Sequence, residues 1–265
     1  MFRTSQPIYS KKIVVLTLIA LLSCGSKSVW GQDKTTKLTT QQDFPVLFGI
    51  QFKPLINNTL ATISMPFVTK NNVSFEIQRQ GGYALGMTIR KDLSKRWSIE
   101  SGLGLMNRDY NVAMRRTDTP ALSREATIRV LAYDLPVSGL LYIRLGERLY
   151  TNVALGTMLT FFPSDLAQQQ DNYTNLFVRN RRIMLGGIAN IGLEYRTEKK
   201  GYFYLGASYQ LPFANTYTSR LAYIYPNQTR LETDLKVYGD YLTIDLRYFF
   251  NNPPKEKEKS YWIED

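Results

Sequence analysis

The chain has no histidine and a single cysteine, Cys24. Beyond its first 31 residues no apolar run approaches the roughly 20 residues that a spanning helix needs. Each absence removes a class of function. Without histidine, hydrolases of the Ser-His-Asp or Cys-His kind are excluded, because imidazole is the group that takes and returns the proton in them. Metal centres built on histidine or cysteine go with them, which leaves oxygen ligands only. A lone cysteine also excludes a small secreted domain stapled by disulfides.

Acid is missing from the first 31 residues, where Arg3, Lys11 and Lys12 precede an apolar run from Ile13 to Leu22 broken only by Thr17. That order of charge, apolar run and small residues predicts a secretory signal peptide over residues 1–31. It is cut after Gly31, with Val29 and Gly31 at the small-residue positions. A competing cut lies at Leu21-Leu22-Ser23-Cys24, which loosely matches a lipobox and would leave Cys24 acylated. After the Gly31 cut no cysteine remains. Removing Arg3, Lys11, Lys12 and Lys27 leaves 29 basic against 22 acidic residues, so the formal charge of +11 falls to +7. An exported chain of that charge meets lipid phosphates first, and no segment interleaves Arg and aromatic residues as an RNA-binding sheet does, so nucleic acid is not an expected partner.

What remains is rich in aromatics, with 18 Tyr and 13 Phe, and it alternates. Val46, Phe48, Ile50 and Phe52 share one face of a first candidate strand over 44–55. Strands follow at 82–91, 96–107, 127–144, 149–161, 182–196, 201–211 and 237–250. In the last, Leu242, Ile244, Leu246, Tyr248 and Phe250 oppose Tyr241, Thr243, Asp245, Arg247 and Phe249. Side chains on a strand alternate faces, so each segment has one apolar side and one side of charge and glycine. The connections alternate as well: short at 92–95, 145–148 and 197–200, long at 56–81, 108–126, 162–181 and 212–236. Short periplasmic turns and long outer loops are the pattern of a transmembrane barrel. A lipocalin would have a polar outer face and no reason for its loops to alternate. The predicted fold is therefore all-β: an eight-stranded antiparallel transmembrane up-and-down β-barrel over 44–250. A periplasmic lead-in over 32–43 and a periplasmic tail over 251–265 flank it, which puts both termini in the periplasm of a Gram-negative bacterium.

Charges of both signs fall on the inward positions: Lys53, Arg90, Glu100, Asp134, Arg144, Glu194, Arg196, Asp245 and Arg247. An eight-stranded barrel is about wide enough for side chains to fill, so these predict an ion-paired plug, with a narrow ion route as the alternative. The long loops carry Arg108, Arg115, Arg116, Arg124, Arg179, Arg181, Arg182, Arg220 and Arg230. Guanidinium matches phosphate bidentately, so contacts to lipopolysaccharide or to a partner are expected there, against plain solvation. Met65 to Val68 and Leu221 to Tyr225 are apolar loop stretches that would cover the mouth or meet a partner. In the tail, Asn251-Asn252-Pro253-Pro254 ends the last strand. After alternating charges over Lys255 to Lys259, Tyr261, Trp262 and Ile263 form an apolar hook expected to dock in the periplasm. The acids Asp109, Asp118 and Asp171 show no catalytic pairing. No enzyme activity, metal or cofactor is expected.

The stretches GIQFKP, YALGMTIRKDLSKRWSIESGLGLMNRDY, YDLPVSGLLYIRLGERLYTNVALGTMLTFFPSD, NIGLEYRTEKKGYFYLGASYQLPF and GDYLTIDLRYFF resemble the outer-membrane β-barrel family widespread in Bacteroidota, over most of Phe44 to Phe250. That family brings no shared catalytic set. Some of its members are accessory parts of secretion, gliding or barrel-assembly machines. The resemblance therefore implies an accessory or scaffold subunit of an envelope complex. A free-standing surface barrel that binds lipopolysaccharide or another external ligand, or a narrow channel, is the alternative.

Overall fold

A computed structural model describes residues 46–56, 66–116, 118, 123–170, 172–225 and 229–251. The expectations for 1–31 with Cys24, for the lead-in 32–43, and for Tyr261, Trp262 and Ile263 lie outside those residues. The described chain is all-β, without a helix. Its strands are β1 (Val46–Ile56), β2 (Phe67–Lys70), β3 (Val73–Asp92), β4 (Trp97–Arg116), β5 (Arg124–Arg144), β6 (Leu149–Phe161), β7 (Leu166–Gln170), β8 (Tyr173–Arg179), β9 (Ile183–Arg196), β10 (Tyr202–Pro212), β11 (Tyr217–Ile224), β12 (Arg230–Val237) and β13 (Tyr241–Phe249).

All pairings are antiparallel, and in one sheet they return on themselves. They run β1, β3, β4, β5, β6, β9, β10 and β13 and come back to β1, whose Phe52 stands opposite Leu85 of β3 and Leu246 of β13. Such a circuit leaves none of its strands with an unpaired edge along the shared length, which removes the template for unwanted pairing. Tight turns join its lower end. Ser94 Oγ accepts from the Arg96 and Trp97 amides. Gly201 has φ 94°, and a Cβ there would lie 2.2 Å from the Phe249 carbonyl oxygen, so only glycine fits.

The four connections expected as long loops are largely strand. β3 begins at Val73, β4 runs to Arg116 and β5 starts at Arg124, all beyond the predicted ends. A second, four-stranded sheet has the order β12-β11-β8-β7. β2 and β3 form a hairpin on Asn71 and Asn72, both with positive φ, as a two-residue turn of that hand requires. Val73, Phe75, Ile77, Tyr110, Val112, Met114, Ile128 and Val130 from the upper halves of β3, β4 and β5 pack with Phe177, Tyr217, Leu221, Tyr223, Leu235 and Val237 of the second sheet. These residues build one dry core. Phe162 and Phe177 meet the Tyr217 ring at centroid distances of 5.2 and 5.9 Å. Leu221 and Tyr223, expected at a loop surface, are core residues of this cap.

The passage from circuit to cap is marked in β3. Its pairing with β1 ends at Gly82, and the register against β4 slips between Arg79 and Gly81. Gly82 has φ 152°, and a Cβ on it would sit 2.0 Å from the Asn107 carbonyl oxygen. The bulge turns odd-numbered residues from the outer face, as at Leu85 and Met87, to the inner one, as at Phe75 and Ile77.

Candidate functional site

Inside the circuit the polar faces of the strands meet. Arg90, fully buried, donates from Nε and Nη2 to Glu100 Oε2 at 3.0 and 2.7 Å and from Nη1 to Glu194 Oε2 at 2.5 Å. Arg247 donates from Nη1 to the other oxygen of Glu100, and from Nη2 to Asp245 Oδ2 at 2.5 Å. Lys53 Nζ lies 3.4 Å from the same Asp245 oxygen, and Arg196 Nε donates to Glu194 Oε1 at 2.7 Å. Seven of the residues expected inside are thus joined, with Lys53, Arg90, Arg196 and Arg247 facing Glu100, Glu194 and Asp245. Neutral groups complete the shell. Ser208 Oγ, Thr243 Oγ1 and Asn190 Nδ2 donate to Asp245 at 2.5, 2.7 and 3.1 Å, and Tyr204 OH donates to Asn190 Oδ1 at 2.6 Å. Aromatic rings face the cations: Arg90 over Phe249 at 3.8 Å and Arg247 over Tyr204 at 4.8 Å.

One small space lies among these groups. A cavity bounded by Gln51, Lys53, Thr88, Glu100, Asn190 and Arg247 has a volume of about 10 Å³, room for one water at most. Among the described residues no three His, Cys, Asp or Glu side chains are arranged to hold a metal ion. Every carboxylate of the network is held by a guanidinium, an ammonium or several donors, and none faces a substrate-sized space.

Asp134 stands one layer higher, accepting from Thr160 Oγ1 at 2.7 Å and Tyr241 OH at 3.1 Å. Its companion is Arg108, expected in a loop. Arg108 is in β4 and buried, with its guanidinium 4.1 Å from the centre of the Tyr241 ring and Nη1 donating to the Gly239 carbonyl at 2.8 Å. It shares the inward face of β4 with Glu100, an even spacing along one strand, and that spacing was the available signal. Arg144 departs from expectation in the other direction. It is exposed at the lower rim, and its Nε donates to the Gly146 carbonyl at 2.8 Å rather than to an acid. A strand end beside a turn offers carbonyls nearer than any carboxylate.

The remaining arginines of the predicted loops sit on the cap, most of them engaged. Arg115 pairs with Glu125, Arg116 with Asp118, Arg179 with Asp165 and Arg230 with Glu232. Arg124 donates to the Ser123 carbonyl. Hydrogen bonds to Asp118 and Tyr223 raise the pKa of Arg116, and burial pushes the Tyr173 and Tyr217 hydroxyls above the usual tyrosine range. Among the described residues no acid lies within ion-pair distance of Arg181, Arg182 or Arg220. Sequence reading also missed Arg79, which joins the cap to the last connection by donating to Asp240 Oδ1 at 2.5 Å and to the Tyr238 carbonyl at 2.8 Å.

No known protein family and no curated protein matches the chain. Similar solved structures include two that match over most of its length. One is outer membrane protein AlkL in lipid bilayers, 13% identical, covering 86% of this chain and 100% of that one with a TM-score of 0.39. The other is the outer membrane protease OmpT from Escherichia coli, 9% identical, covering 80% of this chain and 98% of that one with a TM-score of 0.31. At such distance the fold stands on the strand pairings themselves.

Proposed function

We propose that the chain is a non-catalytic outer-membrane protein, an eight-stranded antiparallel transmembrane barrel whose strands continue upward into a folded cap. It serves as an accessory or scaffold subunit of a larger envelope complex. The observation that carries the membrane reading is the outer face of the pairing circuit. Phe48, Ile50, Leu85, Met87, Ile99, Leu103, Leu135, Val153, Leu155, Ile191, Leu205 and Leu246 are all exposed there. In water so continuous an apolar surface would aggregate, whereas in lipid it is the required one. Along β6 the outward residues run from Leu149 to Phe161. Twelve steps of about 3.3 Å make about 40 Å along the strand, or about 28 Å along the normal at a tilt near 45°, close to the apolar height of such barrels. Tyr83, Tyr133, Phe161 and Phe213 border the belt above, and Trp97, Tyr195, Tyr248 and Phe250 below. The short turns, Val46 and Asn251 share the lower end, which we assign to the periplasm.

The sealed interior favours a scaffold over a conduit, and a cap with its own dry core is a rigid platform for a partner. The resemblance to Bacteroidota barrels points the same way. Extraction in mild detergent, followed by sizing and mass spectrometry, is expected to give a stoichiometric envelope partner. A particle of monomer mass with no partner refutes the subunit reading. Steady conductance in a planar bilayer would refute the sealed interior.

The uncommitted pair Arg181 and Arg182 supports a second reading. It immediately precedes lipid-facing Ile183 at the top of β9, the level of lipopolysaccharide phosphates. Replacing both by Glu should weaken binding to lipopolysaccharide-containing vesicles about tenfold, as for loss of two exposed charge contacts. Unchanged binding removes this reading.

A further inference from the structure

The lower mouth holds a feature that neither the plug nor the belt requires. A cavity of about 720 Å³ opens there, bounded by the turn after β3 and the ends of β5 and β9. The Tyr150 ring gives it an apolar wall, the outward-facing Leu141 and Ile143 border its outer rim, and Lys95, Arg96 and Arg144 give it positive charge. Arg196 adds a fourth cation, stacked 4.3 Å from the Tyr150 ring centre. The one carboxylate in the lining, Asp92, already accepts from Ser98 Oγ at 2.5 Å. Among the described residues no acid pairs with Lys95, Arg96 or Arg144. The cavity therefore suits an occupant with a bulky apolar group followed by acids.

Such a sequence stands in the same chain, where Tyr261-Trp262-Ile263 is followed by Glu264-Asp265. We propose that this segment folds back beneath the circuit and seats Trp262 and Ile263 in the cavity, with Glu264 and Asp265 against Arg96 and Arg144. The point of departure is favourable. Asn251 Nδ2 donates to the Glu198 and Lys199 carbonyls at 3.4 and 3.2 Å, and Tyr248 OH donates to the Lys200 carbonyl. The exit of β13 is thereby fastened to the turn that follows Arg196. The span is sufficient. Trp262 lies eleven Cα steps beyond Asn251, at most about 36 Å of extended chain. Eight strands about 4.8 Å apart and tilted near 40° enclose a mouth only about 16 Å across. The alternating charges of Lys255 to Lys259 keep the crossing stretch in water, so the apolar residues arrive last.

The seating is tested in the purified full chain, folded in detergent, with cysteines placed at Ser94 in the cavity turn and at Ile263. Oxidation is expected to give a 94–263 disulfide within monomers, located by peptide mass spectrometry. It should form about tenfold faster than the bond between Ser94→Cys and Lys257→Cys. Arg96→Glu with Arg144→Glu should slow the 94–263 bond by about tenfold, the worth of two exposed ion pairs, and adding Glu264→Lys with Asp265→Lys should restore it. Equal rates at 257 and 263, a bond formed only between two molecules, or indifference to charge reversal each overturns the proposal. None of these outcomes depends on whether an envelope partner exists.

Discussion

Along the lower half of β4 the outward residues are Trp97, Ile99, Ser101, Leu103 and Leu105, and the inward ones are Ser98, Glu100, Gly102 and Gly104. Along its upper half, Asp109, Asn111 and Arg115 point outward while Tyr110, Val112 and Met114 point inward. β5 repeats the change, from Leu141, Val137 and Tyr133 outside below to Ile128 and Val130 inside above. The β4–β5 ladder of backbone hydrogen bonds spans both halves, and the one register slip at the boundary is the bulge in β3. On the proposed membrane reading, what changes is the medium beyond the outer face. Apolar side chains lie outward where lipid stands there and inward where water does. The two interiors are consequently held by different forces. The lower is a network of linked ion pairs, four cations around three acids, and the upper is packed aromatic and aliphatic surface, where each side chain contributes by area and fit.

Breaking the lower interior gives the largest expected effect. Arg90→Ala removes the cation between Glu100 and Glu194 and leaves both acids buried with fewer partners. The expected loss is about 3–5 kcal/mol, read as the denaturant midpoint of the heat-modifiable folded form. Replacing Arg90 by Met together with Glu194 by Leu should cost clearly less, because the charge balance is kept: Glu100 retains Arg247, and Arg196, which loses Glu194, is partly exposed to water. If the balanced pair costs as much as the single change, packing rather than charge holds the lower interior.

The inversion also explains which parts of the fold were legible. The eight strands of the circuit could be read because the apolar face stays in phase for about ten residues, as from Tyr202 to Pro212. The outward apolar face runs out at Leu105 on β4 and Leu131 on β5, and the predicted strand ends, 107 and 127, lie just beyond those residues. The strands did not stop there. Phe75, Val112 and Ile128 still alternate, with the opposite face apolar, and in β3 the glycine bulge displaces the phase by one residue. The ions of the network were legible by parity, since Arg90, Glu100, Glu194, Asp245 and Arg247 fall on inward positions. Arg108 was not, because it lies just past the apparent end of its strand. Which cap arginines are engaged depends on partners distant in sequence, such as Asp165 for Arg179, and no local pattern carries that information.

The upper interior should fail separately from the lower. Leu221→Ala opens a hole in a dry core where Leu221 is 1% exposed. The expected cost is about 3 kcal/mol, within the range for buried leucine. Its sign should be faster proteolysis in β8, β11 and β12 while the circuit keeps its folded mobility on a gel. The four-stranded sheet shares no strand with the circuit, and that is the reason for expecting separation. Simultaneous loss of both would mean that cap and circuit form one cooperative unit, with Arg79 and its contacts at Asp240 as the first link to test.

The smallest effect sharpens the boundary between the two media. Leu205 of β10 points outward and is 54% exposed, and Thr127 of β5 points outward on the cap and is also exposed. In a soluble protein an arginine at either position would be nearly neutral. In lipid the positions diverge. Leu205→Arg should cost about 2 kcal/mol in refolding into bilayers, the low end expected for a cation near the midplane. Thr127→Arg should stay within about 0.5 kcal/mol, as for an ordinary surface change. The difference between the variants, rather than either value, measures the medium, because both place the same side chain on an outward strand position. Equal costs would mean that the belt does not face lipid, and the membrane assignment would fall with it.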